Sequence, residues 1–279
     1  MATGGSDWTR STDGGQTWSL EGTILKPTST PMTSNALKLT MSPDGGTICA
    51  YGARYYGARH DHSPRLQLLP NEGIICRSTD DGVSWTEPTL VPMPVDCPLE
   101  IAFGAQVTSS GRLLAPCATL PSRDRTGEQT IIAISDDGGH TWPRHSVVFE
   151  DPNEKLGYIE HKFTEIAPGR IMCVAWTTTM TNLEDVTCSY TISEDDGLNW
   201  GPAVSTNIKG QTMAPISVGD DRLLVLYNRR YGEQGIVMNL ATFTETSWTI
   251  HYECMLFNPG INRNRPTDPN DRAKEFGKF

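Results

Sequence analysis

The chain has 279 residues and no run of 18 apolar ones, so no segment is fit to cross a bilayer as a helix. It opens MATGGSDWTR, without the basic n-region and apolar h-region of a signal peptide. No CxxC occurs, no N-x-S/T sequon occurs, and the seven cysteines are odd in number. Most of them sit inside apolar runs such as TICAY and IMCVAW, which reads as buried free thiols in a reducing compartment rather than a disulfide framework. Positive charge is scarce: the formal net charge is −10, which excludes nucleic acid as an expected partner. A cytoplasmic location is therefore favoured, with secretion left open for a chain truncated at its N-terminus. No stretch is patterned as a long helix, and the length suits a single large β domain.

What is abundant is one phrase. Ser11-x-Asp13-x-Gly15-x-Thr17-Trp18 recurs as Ser78-x-Asp80-x-Gly82-x-Ser84-Trp85, then as Ser135-x-Asp137-x-Gly139-x-Thr141-Trp142 and Ser193-x-Asp195-x-Gly197-x-Asn199-Trp200. A worn fifth copy keeps Ser247-Trp248. Five of the seven tryptophans occupy the repeat position, the mark of a repeat architecture. The phrase reads as a turn. Its Asp can accept backbone N–H groups, its Gly can take φ > 0, and its Trp is expected to open the next strand with a buried ring. Each copy offers one or two carboxylates and no bidentate Glu downstream, so calcium is not expected.

A second pattern lies between the boxes. SPDGGTICAY, SSGRLLAP, APGRIMCVAW and GDDRLLVLY each read as a turn and an apolar strand. Each follows another strand: NALKLTM, EIAFGAQVT, IEHKFTEI and TMAPISV. Four antiparallel strands in about 60 residues, repeated, are the blades of a β-propeller.

The octamer resembles the Asp-box, or BNR repeat, of the sialidase (neuraminidase) superfamily over roughly residues 1–255. IEHKFTEIAPGRI (159–171) looks like the family segment that begins with the catalytic Glu. The resemblance implies an all-β, sialidase-type propeller whose parent fold has six blades. This chain then covers four and a half to five of them: a partial first blade, units near 30–90, 98–150, 157–205 and 210–255, and a polar tail or incomplete last blade over 256–279. A fragment or short isoform of a six-bladed parent is favoured over an unusual five-bladed closure.

Function is expected on the face opposite the boxes, where the longer loops lie. Those loops hold Arg54, Arg59, Arg65, Arg123, Arg125, Arg229 and Arg230, and arginine suits bidentate capture of a carboxylate. A solvated loop rim is the plainer explanation of the same residues. Asn35, Glu100, Glu160 and Gln211 stand at corresponding ends of the four innermost strands and are expected to ring the axis. By the resemblance, Glu160 would take a proton from a nucleophilic tyrosine; Glu100 is second on position, and Asp61 is the candidate acid. Satisfied polar groups at strand ends are the structural alternative. His60 and His62 flank Asp61 without a further ligand, so no zinc is expected. Among Tyr55, Tyr56, Tyr158, Tyr227 and Tyr231 no nucleophile is assigned.

The sequence also departs from the family pattern. The FRIP motif, with its arginine, is absent, and SNAL stands at the blade-two counterpart. Trp176 stands where the second arginine would be, and Arg229 and Arg230 fall near the third but on another strand. The expectation is a glycoside hydrolase of exo-α-sialidase type that removes a terminal acidic sugar from a glycan without cofactor or metal. The alternatives are a non-catalytic propeller binding glycans or proteins, and a poorly folding remnant with open sheet edges.

Overall fold

The computed structural model describes residues 6–57, 69–122, 124–230 and 233–258. Among them there is no helix, and nineteen strands form one two-stranded sheet and four larger ones. The first sheet pairs β1 (Asp7–Arg10) with β2 (Ser19–Thr23). The second runs β3 (Thr33–Met41), β4 (Ile48–Tyr56), β5 (Asn71–Ser78), β6 (Thr89–Val91).

In the third sheet, β7 (Leu99–Glu100) and β8 (Gln106–Val107) both pair with β9 (Leu113–Thr119), followed by β10 (Gln129–Ser135) and β11 (Arg144–Glu150). The fourth runs β12 (Leu156–Ala167), β13 (Arg170–Thr179), β14 (Ser189–Ser193), β15 (Val204–Ser205). The fifth runs β16 (Gln211–Gly219), β17 (Arg222–Arg229), β18 (Gly235–Phe243), β19 (Trp248–Phe257). Every pairing is antiparallel and, apart from β7 with β9, joins neighbours in sequence, which is the blade topology. Each sheet is called a blade below, I to V in chain order.

Two expectations need correction. EIAFGAQVT is not one strand: it breaks into β7 and β8 around Ala102–Ala105. The box Trp usually precedes the next strand rather than opening it, since Trp85 comes before β6 at Thr89 and Trp200 before β15 at Val204. Nor is its ring always buried: Trp142 is 7% exposed but Trp18 is 64% exposed.

The boxes close by short-range bonds. In blade III, Ser135 Oγ donates to Asp137 Oδ1 (2.7 Å), Thr141 N–H donates to the same oxygen (2.8 Å), and Thr141 Oγ donates to Oδ2 (2.6 Å). Blades I and II repeat the set through Asp13 and Asp80, and in blade IV Asn199 donates to Asp195 in place of Thr or Ser. Each carboxylate is saturated by donors of its own turn. These bonds hold Asp13 and Asp80 at about 2, with the Thr17 and Ser84 hydroxyls the largest cause.

The core lies between blades rather than within them. One buried cluster joins blades II and III, including Tyr51, Ile75, Ala115 and Ile131. A second joins III and IV through Leu114, Ile132, Ile171 and Cys173. A third joins IV and V through Met172, Tyr190, Val225 and Trp248. All seven cysteines are free thiols, five of them buried.

The box glycine is part of each interface. A Cβ on Gly82 would lie 2.6 Å from the Trp8 ring, on Gly139 3.3 Å from Ile75 Cδ1, and on Gly197 3.0 Å from Leu114. In each case the contact comes from the preceding blade. Arginines add clamps: Arg10 donates to the Asp81 carbonyl, Arg77 to the Gly139 carbonyl (2.7 Å) and Arg112 to the Asp196 carbonyl (2.9 Å). Arg170 pairs with Glu194 of its own blade and with Asp221 and Glu245 of the next.

Candidate functional site

Inner strands begin on the face away from the boxes, and the repeat places Asn35, Glu100, Glu160 and Gln211 near those beginnings. The structure brings two of them into contact. Glu160 N–H donates to Glu100 Oε2 at 3.3 Å, across the boundary of blades III and IV. The bond exists because β12 is irregular there: its pairing with β13 steps from Ile159↔Trp176 to Lys162↔Val174. Glu160 sits inside that bulge with φ 48°, in the left-handed region that non-glycine residues seldom occupy. Its N–H is thereby released from the β12–β13 ladder and turned toward the neighbouring blade.

Glu100 is partly accessible yet surrounded by protein. Burial, and then the charge of Glu160, push its carboxyl up to about 7; the Glu160 N–H and Lys38 oppose the rise. Lys38, on β3, donates from Nζ to the Ile101 carbonyl at 2.9 Å, and burial lowers its pKa against the charge of Glu100. Lys162 holds its Nζ 4.4 Å from the centre of the Phe103 ring. Burial lowers the pKa of Lys162 too, and the charge of Glu160 opposes this. Two carboxyl groups and two ammonium groups thus meet at one place, beside a small apolar cluster of Ala118, Ile159 and Trp176.

A second polar group stands between blades IV and V. Trp176 Nε1 donates to Asp185 Oδ1 (2.9 Å), and Gln211 Nε2 donates to Asp185 Oδ2 (3.4 Å). Asn35 is turned elsewhere, its Nδ2 donating to the Leu25 carbonyl at 3.4 Å. The side-chain carbonyl oxygens of Asn35 and Gln211 are buried and have no hydrogen-bond partner among the described residues, an arrangement that suits a polar ligand.

The arginines are dispersed. Arg54 lies inside strand β4 and Arg229 ends β17, so neither is in a loop. Arg54 pairs with Glu72 at 3.4 Å, and Tyr56 OH donates to the same Glu72 oxygen (2.5 Å), which raises the tyrosine pKa. Arg229 pairs with Glu253 at 3.0 Å, and Tyr227 OH donates to that carboxylate at 3.2 Å. Burial, then Glu253, pushes Tyr227 up to about 12. Arg125 pairs with Glu128 and Glu154 on the rim, and Arg230 follows β17 directly. Asp61, Arg59, Arg65, Arg123 and Tyr231 lie outside the described residues.

Sequence reasoning missed Lys38, Lys162 and Asp185. Lys38 carried a usable signal as the one charge in the apolar strand NALKLTM. Asp185, in a polar loop, carried none.

The model of the BNR repeat-like domain family matches residues 70–249. No curated protein matches the chain by sequence. Among solved structures, a protein of unknown function from Dyadobacter fermentans is 22% identical with a TM-score of 0.71, over 90% of this chain and 72% of that one. NanB, solved with optactamide, is 14% identical with a TM-score of 0.62, over 90% of this chain and 56% of that one. The Trypanosoma rangeli sialidase, solved with the inhibitor DANA, is 15% identical with a TM-score of 0.59, over 90% of this chain and 44% of that one. This chain therefore spans about half the length of the last two. At these identities the likeness establishes a sialidase-type propeller fold and leaves chemistry to the site.

Proposed function

This chain belongs to the family of BNR repeat-like domains, and on that premise we propose that it is a glycoside hydrolase of exo-α-sialidase type that releases a terminal acidic sugar. The observation that carries the reading is the contact of Glu160 with Glu100 at the start of the inner strands. Glycosidic cleavage needs a group that accepts a proton and a group that delivers one, held within reach of a single bond. Glu160 is the acceptor in this reading, taking the proton of the nucleophile. Asp61 is assigned as the acid. Lys162 and the arginines Arg54, Arg59, Arg123, Arg125, Arg229 and Arg230 supply positive charge for an anionic sugar. Gln211 and Asn35, with unpartnered carbonyl oxygens, accept from sugar hydroxyls.

A second reading, a propeller that binds glycans or proteins without cleaving them, is favoured by one observation. Arg54, Arg125 and Arg229 already have carboxylate partners within their own regions, so each would have to exchange a partner to grip a sugar acid.

A fluorogenic sialoside, tested with wild type and Glu160→Gln, separates the two. The hydrolase reading expects turnover that falls roughly 10²–10⁴-fold in the variant, the usual worth of a positioned general base. No turnover above blank across several acidic-sugar substrates, with retained binding to the same glycans, establishes the second reading instead.

A further inference from the structure

Blade V has two faces. The one toward blade IV carries Leu223, Val225, Val237 and Ala241, all buried at the IV–V boundary. Side chains alternate along a strand, so Leu224, Leu226, Met238 and Leu240 stand on the other face. The register lines them up across the sheet. Ile216↔Leu224, Leu224↔Leu240 and Leu240↔Tyr252 make one row, and Ala214↔Leu226, Leu226↔Met238 and Met238↔Cys254 make the next. Blade IV turns the same arrangement toward blade V, as Met172↔Ile192 and Val174↔Tyr190, and there each side chain is buried, at 6% exposure or less. The two rows of blade V join no buried cluster among the described residues, and Ile216 and Tyr252 are 50% and 58% exposed. A contiguous apolar sheet face left to solvent marks an interaction surface.

We propose that this face of blade V is the interface of a homodimer, in which a second copy of the chain lays the same face against it across a two-fold axis. Area argues for the second copy. Four strands of 8 to 10 residues make a face of about 30 by 19 Å. Two such faces bury roughly 1,100 Å² together, above the approximately 1,000 Å² that a specific interface needs. The layout is that of an interface as well. The rows are apolar from β16 to β19, while the Arg222–Asp220 ion pair (2.9 Å) and Asn228 stand at opposite ends of β17, giving an apolar centre with a polar rim. Two like sheets pack face to face about 10 Å apart, as in a β-sandwich. Other occupants match the face less well. Residues 259–279 supply only Ile261, Phe276 and Phe279 as large apolar side chains. Blade I exposes Trp18 and Leu20, but on two strands of 4 and 5 residues, too few to cover four longer ones. The Glu100–Glu160 contact lies at the boundary of blades III and IV, so the dimer stands or falls apart from the hydrolase reading.

Sedimentation velocity of the full chain, from about 1 to 100 µM, is expected to show a dimer. High salt does not dissociate it, because apolar contacts rather than exposed charges hold it. Tyr252→Glu and Ile216→Glu each bring a charge into the first row, at positions that the single chain already leaves half exposed. Each is expected to raise the dimer Kd on the order of 100-fold or more, with the circular dichroism of the chain unchanged. Leu20→Glu, on blade I, is expected to leave Kd as it is. Cys254, a free thiol in the second row, gives an independent readout. Its alkylation, followed by peptide mass spectrometry, is expected to slow as the wild type is concentrated and to be fast at every concentration in Tyr252→Glu.

A monomer at every concentration overturns the proposal, as does a dimer whose Kd neither Glu variant moves. Species larger than a dimer that Leu20→Glu disperses show head-to-tail contact of blade V with blade I, and overturn it too. Should the Glu variants fail to fold, Tyr252→Ser removes the ring without adding a charge. A Kd raised about tenfold or more then supports the interface, and an unchanged Kd overturns it.

Discussion

A strand residue at φ 48° is held there by its neighbours, and the residues next to Glu160 show how demanding the position is. His161 follows it in the same bulge, fully buried, with neither ring nitrogen partnered among the described residues. Burial pulls its pKa down to about 3. Below the ordinary value near 6.5, the unfolded chain takes a proton that the folded one refuses. Stability tied to His161 is thus present above about pH 6.5 and is lost as pH falls toward 3. Glu100 has the opposite sign: its folded carboxyl keeps its proton to about pH 7 while the unfolded one gives it up near the usual carboxylate value. Stability tied to Glu100 is present at low pH and is lost as pH rises toward 7. Urea midpoints at pH 7 and 4.5 are expected to separate the two. His161→Phe should gain stability at pH 4.5 relative to pH 7, by roughly 2–3 kcal/mol compared with wild type, and Glu100→Gln should shift the other way. Unchanged differences in both variants contradict the assignment.

At the scale of the element, the Asp-box serves two purposes. Its Ser, Asp and Thr tie one turn shut through bonds that span four residues or fewer. Its glycine admits the blade before it. A test contrasts two copies of the same glycine. Gly82 has φ 83° and faces Trp8 of blade I, while Gly15 has φ 88° and, within 4 Å, meets only its own Trp18, at 3.8 Å. Gly82→Ala is expected to cost on the order of 2–4 kcal/mol in chemical denaturation, combining backbone strain with overpacking. Gly15→Ala meets the strain alone, about 1 kcal/mol. Equal losses would show that the interface is not what the glycine provides.

This division also explains what could be read from the sequence. The box is local chemistry within eight residues, so its turn, its place between the third and fourth strands, and the propeller itself were all legible. The alignment of inner strands put Glu100 and Glu160 at matching positions. Their contact was not legible, because it depends on a bulge that turns one N–H out of its ladder and on residues 60 apart in sequence meeting across two adjoining blades. The break in EIAFGAQVT hid for a similar reason. Phe103 lies under Lys162 and Gly104 packs against Lys38, so side chains of two other blades shape that segment.

Across the whole molecule, blade follows blade through asymmetric contacts of one hand. A side chain of blade n enters the box of blade n + 1: Trp8 at Gly82, Ile75 at Gly139, Leu114 at Gly197. Arginine clamps run in the same direction, from Arg10, Arg77, Arg112 and Arg170 to the blade that follows. Stability in such an array is close to a sum of blade and nearest-neighbour contributions. The molecule behaves as a stack of coupled leaves: among the described residues, blades II, III and IV are gripped from both sides, and the two-stranded blade I is held through its contacts with blade II. Amide exchange should record this as a gradient in time, with β9, β10 and β13 exchanging last and β1 and β2 first. Opening that starts at the outermost leaf reaches the Glu100–Glu160 contact, which straddles blades III and IV, late. The place where the chemistry is proposed is also where the array has most neighbours to lose before it can move.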